Sequence, residues 1–167
     1  MRKLLPWLGL AAMVIVLDQW SKLVITRSLT YSDRVIITPF FDLVLTYNSG
    51  AAFSFLRNAS GWQREFFIAV ALLASIWILY MLYRNAGSTL MNLALGLVLG
   101  GAIGNVIDRF RLGAVIDFLH FHLAEYSWPA FNVADSAITV GAVLLIWDSF
   151  RPSGRTETAN EERRGST

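Results

Sequence analysis

Two aspartates, Asp117 in VIDF and Asp135 in FNVADS, lie in apolar surroundings with no lysine or arginine within four positions of either. A charge at membrane depth costs at least a few kcal/mol, so each acid there needs a partner or a task. The other acids at this depth have local partners. Asp18 precedes Lys22 by one helical turn, Asp108 adjoins Arg109 and lies near Arg111, and Asp148 has Arg151 three residues on. These three are expected to pair or cap. Asp117 and Asp135 flank the same short outer loop, so their helices are expected to bring them face to face. Two such carboxylates cannot both ionise comfortably, and a pair sharing one proton acts as general base and general acid together. That chemistry hydrolyses a peptide bond through a tetrahedral intermediate.

On spacing alone Asp135 also reads as a helix N-cap, with Pro129 marking the first turn. Asn132, three residues earlier, is expected on the same helical face as Asp135, and Asn105 on the third helix is a further orienting group. No metal and no cofactor are expected. The 167 residues contain no cysteine, and the two histidines, His120 and His122, alternate with Phe121 in a pattern that suits a membrane interface better than a zinc site.

The elements that must position these groups are helices in a bilayer. The chain is 55% hydrophobic and 16% charged, and it holds four apolar stretches, at roughly 4–26, 63–84, 88–108 and 129–149. Each is near the ~20 residues that cross a hydrocarbon core. The fold class is therefore an all-α membrane protein with four transmembrane helices. The basic, apolar N-terminus imitates a signal peptide but lacks a convincing cleavage site, so it is expected to be a retained first helix. A net charge of +2 gives no support for nucleic-acid binding. With the N-terminus inside, each side of the membrane holds seven basic residues, and only the basic ends favour cytoplasmic termini.

Residues 29–61, rich in β-branched and aromatic types around Pro39 and the Asn48-Ser49-Gly50 turn signal, are expected to form short strands against the outer membrane surface. Asn85 to Ser88 should make a tight helical hairpin. Residues 1–150 then form one membrane domain, and 151–167 read as a polar, disordered tail. Gly96, Gly100 and Gly104, with Gly101 beside them, leave one face of the third helix open to close packing.

Five blocks together resemble the bacterial lipoprotein signal peptidase (signal peptidase II) family: DQWSK at 18–22, YNSGAAFSF at 47–55, GGAIGNVIDR at 100–109, GAVIDF at 113–118 and FNVADS at 131–136. The departures are mild, with Trp20 and Ser21 where small residues or Thr are usual and Ser49 in place of a common Thr. The resemblance implies an aspartic endopeptidase of the bacterial inner membrane, with both termini cytoplasmic and its site near the outer leaflet. Its implied substrates are diacylglyceryl-modified prolipoproteins, cleaved just before the lipidated Cys. It places the catalytic pair on Asp117 and Asp135, and supporting polar residues on Asp18, Lys22, Asn48, Gly50, Asn105, Arg109 and Asn132. The strand-rich segment would correspond to the family's β-cradle between helices 1 and 2, which helps hold the substrate; separately, the aromatic residues and Gly50 turn of Tyr47 to Phe55 are expected to clamp over the lipidated Cys region. The expected partners are substrate and membrane lipid, with the enzyme a monomer. A small proton-coupled transporter, with the two aspartates on a proton path, and a non-catalytic scaffold are the competing classes.

Overall fold

A computed structural model of the chain describes residues 4–50, 62–84 and 89–151. In chain order the elements are α1 (Leu5–Ser28), β1 (Arg34–Thr38), β2 (Phe41–Asn48), α2 (Gln63–Arg84), α3 (Thr89–Leu112), β3 (Val115–Leu123), β4 (Tyr126–Ser127) and α4 (Val133–Ser149). The Asn85–Ser88 hairpin, the 151–167 tail apart from Arg151, and most of the YNSGAAFSF block, Phe53 included, lie outside the described residues.

Three helices among the described residues, α1, α2 and α3, are long and apolar enough to cross a membrane. α1 starts well because Pro6 sits in its first turn, where a missing N–H removes no hydrogen bond. α3 is the central helix. In its most apolar stretch 56% of residues are buried, against 28% in α1 and 22% in α2, whose remaining apolar side chains face outward. Ala11, Ile78, Leu82, Leu95 and Leu99 join the three helices in one core.

Close packing against α3 depends on its glycines. A Cβ on Gly100 would come within 2.7 Å of the Val14 Cβ and 2.8 Å of the Ala11 carbonyl on α1. One on Gly104 would lie 2.8 Å from Asp18 Oδ2. The second glycine therefore lets the α1 carboxylate reach α3, and the packing expected of this glycine face is present.

The strands form one antiparallel sheet in the order β1-β2-β3-β4. This corrects two expectations. The sheet is not confined to the segment between the first two helices, because β3 and β4 follow α3. Asp117 accordingly sits on a strand, paired with Thr46 of β2, rather than on a helix. The cause is legible afterwards in VIDFLHFHL, a run of β-branched, aromatic and His residues too short to cross a bilayer. A second core cluster of Ile25, Leu45, Ile116 and Phe118 fixes β2 and β3 to the end of α1.

α4 also starts later than its apolar run suggests. Asn132, not Asp135, is its N-cap, and Pro129 lies ahead of the helix. The chain entering α4 is held to β3 at Phe131, whose carbonyl accepts from the Phe118 and Leu119 amides at 3.0 and 2.8 Å and whose N–H donates to the Leu119 carbonyl at 3.0 Å. The strand bearing one aspartate is thus bonded to the segment leading to the other.

Adding side-chain volume at Gly100 should cost stability by overpacking, on the order of 1–3 kcal/mol. Gly9, whose Cβ would meet nothing within 4 Å, is the control. Thermal unfolding in detergent should show Gly100→Val with a lowered Tm and Gly9→Ala with none lost; equal behaviour would contradict the close α1–α3 approach.

Candidate active site

The site is built outward from a buried lysine. Lys22 Nζ lies 2.7 Å from Asp18 Oδ2, 2.7 Å from Asp108 Oδ2 and 3.3 Å from Asn105 Oδ1, so its three donors meet three acceptors. All four residues are buried. Gln19 closes the cluster, its Nε2 donating to Asp108 Oδ1 at 2.9 Å and lying 3.2 Å from both Asp18 Oδ2 and the Gly104 carbonyl. The Asp18–Lys22 pair was expected. Asp108 was expected to pair with Arg109 or Arg111 and does not: it faces the interior, whereas Arg111 is exposed and Arg109 turns elsewhere. Nor does Asp148 pair with Arg151. The two share a backbone bond of 3.2 Å at the end of α4, from the Arg151 amide to the Asp148 carbonyl.

The acids of this cluster reach the backbone directly beside each isolated aspartate. Asp18 Oδ1 accepts from the amide of Ala134, the residue before Asp135, at 2.9 Å. Asp108 Oδ2 accepts from the amide of Ile116, the residue before Asp117, at 3.2 Å. A single ammonium therefore neutralises two carboxylates that each anchor one half of the site.

Two asparagines complete the positioning. Asn132 Nδ2 donates to Asp117 Oδ1 at 2.8 Å, while its Oδ1 accepts from the Asp135 amide at 2.9 Å as the cap of α4. One side chain thus touches both halves of the pair. Asn105 Nδ2 donates to Asp135 Oδ1 at 2.8 Å, and its Oδ1 accepts from Asn132 Nδ2 at 3.3 Å as well as from Lys22. Asn48, at the end of β2, donates to Asp117 Oδ2 at 3.2 Å and turns its own carbonyl oxygen to the Gly50 amide at 3.0 Å. The Gly50 carbonyl accepts from an Arg109 guanidinium nitrogen at 3.0 Å. Arg109 lies over the Phe67 ring, 5.2 Å from its centroid, and its buried Nε has no hydrogen-bond partner among the described residues.

Asp117 and Asp135 line one cavity of about 460 Å³ together with Asn48, Asn105 and Arg109. Much of the rest of the lining is apolar, from the Trp128–Phe131 segment and from Ile138 and Val140 of α4. Burial, and then the negative charge of Asp135, push the Asp117 carboxyl up to about 7 against the opposing pull of Asn48, Asn132 and Lys22. A carboxyl so placed holds its proton near neutral pH and can donate it.

All nine residues singled out in the sequence meet at this one place. Gln19 and the role of Asp108 were missed, because a glutamine in an apolar helix carries no chemical signal and Asp108 has nearer cations in sequence. A second cluster was also missed. Asp42 on β2 is fully enclosed, its Oδ2 lying 2.6 Å from Arg34, 2.9 Å from His122 and 3.4 Å from His120. Burial raises its carboxyl, but the hydrogen bonds from Arg34, His120 and His122 outweigh that and hold it below the ordinary range. His120 also bonds Ser127 on β4 at 2.7 Å, so this carboxylate ties all four strands.

A sheet braced on membrane helices around a paired-acid cavity is the arrangement of a membrane enzyme, and the chain's relatives agree. Residues 10–151 match the signal peptidase (SPase) II family, to which the chain belongs, and it is a peptidase. It is 55% identical over 152 residues to the lipoprotein signal peptidase of Janthinobacterium sp. (strain Marseille), covering 91% of this chain and 92% of that one. Its identity to the lipoprotein signal peptidase of Cupriavidus taiwanensis is 56% over 147 residues, 88% of this chain and 84% of that one. The fold is similar to that of a bacterial membrane enzyme solved by the in meso method at 2.3 Å resolution, with a TM-score of 0.78, 29% identity and coverage of 90% of this chain and 93% of that one. A second such structure, at 1.9 Å, gives a TM-score of 0.80 at 28% identity over 89% and 94% of the two chains. These likenesses give the transporter alternative no support.

Removing the lysine should expose how much rests on it. Lys22→Met leaves Asp18 and Asp108 buried and uncompensated, a change that typically costs about 3–5 kcal/mol. A Tm within a degree or two of wild type in detergent would show that the cluster does not carry the helices.

Proposed function

We propose that the chain is an aspartic endopeptidase that removes the signal peptide from diacylglyceryl-modified prolipoproteins, cutting just before the lipidated Cys. The observation carrying this reading is that Asp117 and Asp135, the two acids without basic neighbours in sequence, line one cavity and are linked through a single side chain, Asn132. The pair holds one proton. One carboxylate takes a proton from water as the oxygen attacks the scissile carbonyl carbon, and the other donates its proton to the carbonyl oxygen. Collapse of the tetrahedral intermediate passes a proton to the amine of the Cys, giving the free signal peptide and a new N-terminus. Arg109 and Asn48 hold the substrate backbone beside the pair, while Asn105, Asn132, Asp18 and Lys22 keep the aspartates in place.

In this reading α4 is a fourth crossing. Its 17 residues rise about 26 Å, and the extended residues before it supply the rest of the ~30 Å core. Both termini are then cytoplasmic, the site lies near the outer leaflet of the bacterial inner membrane, and a single monomeric peptidase domain does the work. The apolar wall of the cavity suits a signal helix arriving sideways from the bilayer. The acyl chains, at ~0.8 kcal/mol per buried CH₂, set the depth of the Cys.

Asp117→Asn and Asp135→Asn should each lower cleavage of a lipidated prolipoprotein peptide by at least ~10²-fold, the usual minimum for a lost general acid or base. Turnover within tenfold of wild type by either variant would refute the pair. The raised carboxyl of Asp117 gives an independent stability signal. An acid whose folded pKa exceeds its unfolded value of 3.8 favours the fold only while protonated, so it weakens the fold as pH climbs towards about 7. Asp117→Asn should therefore match wild type in Tm at pH 4 and exceed it at pH 8. A gap independent of pH would contradict the assignment.

A further inference from the structure

Hydroxyls inside membrane helices usually satisfy themselves on their own backbone, because nothing else in hydrocarbon can. This chain follows that pattern. Ser21 donates to the Asp18 carbonyl at 2.8 Å, Thr26 to that of Lys22 at 2.8 Å, Ser75 to that of Ala71 at 2.7 Å and Ser136 to that of Asn132 at 2.9 Å. Among the described residues in helix interiors, Thr139 is the exception. It lies in the interior of α4, is exposed, and makes no hydrogen bond among the described residues.

Its place gives the exception meaning. Thr139 lines the cavity that holds Asp117 and Asp135, one helical turn past Asp135, between Ile138 and Val140 on the apolar wall. The charged and amide side chains of the lining come from β2, α3, β3 and the first turn of α4, and Ser136 has already committed its hydroxyl. Thr139 therefore carries the one free hydroxyl on this wall. It is about 6 Å along the axis from Asp135, away from the helix start and into the bilayer.

A peptide bond presented to the pair must be unwound from its helix, which leaves backbone N–H and C=O groups without partners at a depth where each costs free energy. The signal peptide precedes the scissile bond and enters from the bilayer, so the residues unwound on that side pass along the α4 wall. We infer that Thr139 is a substrate-positioning residue whose hydroxyl hydrogen-bonds the substrate backbone among the few residues preceding the lipidated Cys. A hydroxyl both donates and accepts, so it can serve whichever backbone group faces it. This inference rests on the proposed peptidase reading and adds a contact on the signal-peptide side, from α4 rather than from Arg109 on α3.

The test uses the full-length enzyme in lipid nanodiscs with a diacylglyceryl prolipoprotein peptide. Thr139→Val keeps the shape and removes the hydroxyl, and kcat/KM should fall about 2- to 10-fold, the usual weight of one neutral hydrogen bond. Thr139→Ser should stay within about twofold of wild type. Peptides are then made with a backbone ester in place of one amide at a time over the three residues before the Cys, removing one N–H and weakening one carbonyl. One of these esters should slow the wild type by a similar factor and slow Thr139→Val no further. Rates are taken per active site by titration with a tight-binding inhibitor, so loss of folded enzyme does not imitate the effect. Thr139→Val equal to wild type, or every ester costing the same factor in both enzymes, would overturn the contact while leaving the peptidase reading intact. A wild-type enzyme unable to cleave the lipidated peptide would overturn the peptidase reading and this inference with it.

Discussion

One ammonium group between two carboxylates organises this molecule. Lys22, from the first helix, meets Asp18 one turn away and Asp108 on the third helix. A buried ion pair is a poor source of net stability, since the desolvation of its members offsets much of their attraction. What it supplies here is placement. Each carboxylate has a second oxygen or lone pair left over, and each spends it on the amide just before one of the two site aspartates. The geometry of the cavity therefore depends on a contact that never enters it.

The two aspartates reach the cavity by different routes. Asp135 is carried in the first turn of α4, held by a cap, while Asp117 is carried on a strand whose partners are in the sheet. Such a design separates the two jobs of the fold. Helices and their glycine contacts fix the depth of Asp135, and the sheet, tied together by the enclosed Asp42, fixes Asp117. Asn132 joins the two systems, because its backbone starts the helix and its side chain reaches the strand. Low local dielectric strengthens these bonds and also raises the cost of any one left unmade.

Much of this was legible in the sequence, and the failures share a cause. The apolar runs located α1, α2 and α3 to within a few residues, because burial in lipid demands a long uninterrupted stretch. The absence of basic neighbours singled out Asp117 and Asp135, and the i to i+4 order identified the Asp18–Lys22 pair. Asp108 was misassigned because proximity in sequence favoured Arg109 and Arg111, whereas the helix turns those side chains away from it. β3 was missed because its nine residues follow a long helix directly, with only Gly113 and Ala114 between, so that no conspicuous loop marks the change. Asp42 was silent because its partners come from two other strands, and pairing across a sheet leaves little trace in local spacing.

Lys22 bridges both acids, and these acids fix the backbone beside the site. Solid-state NMR of the uniformly labelled enzyme in lipid bilayers measures this arrangement directly, by nitrogen-to-carbon polarisation transfer from the Lys22 ammonium and from the backbone amides. Transfer should run from Lys22 Nζ to the carboxyl carbons of both Asp18 and Asp108. It should also run from the Ala134 amide to Asp18 and from the Ile116 amide to Asp108. Transfer from Lys22 to Asp18 alone, with Asp108 coupled instead to the guanidinium of Arg109 or Arg111, would contradict this arrangement.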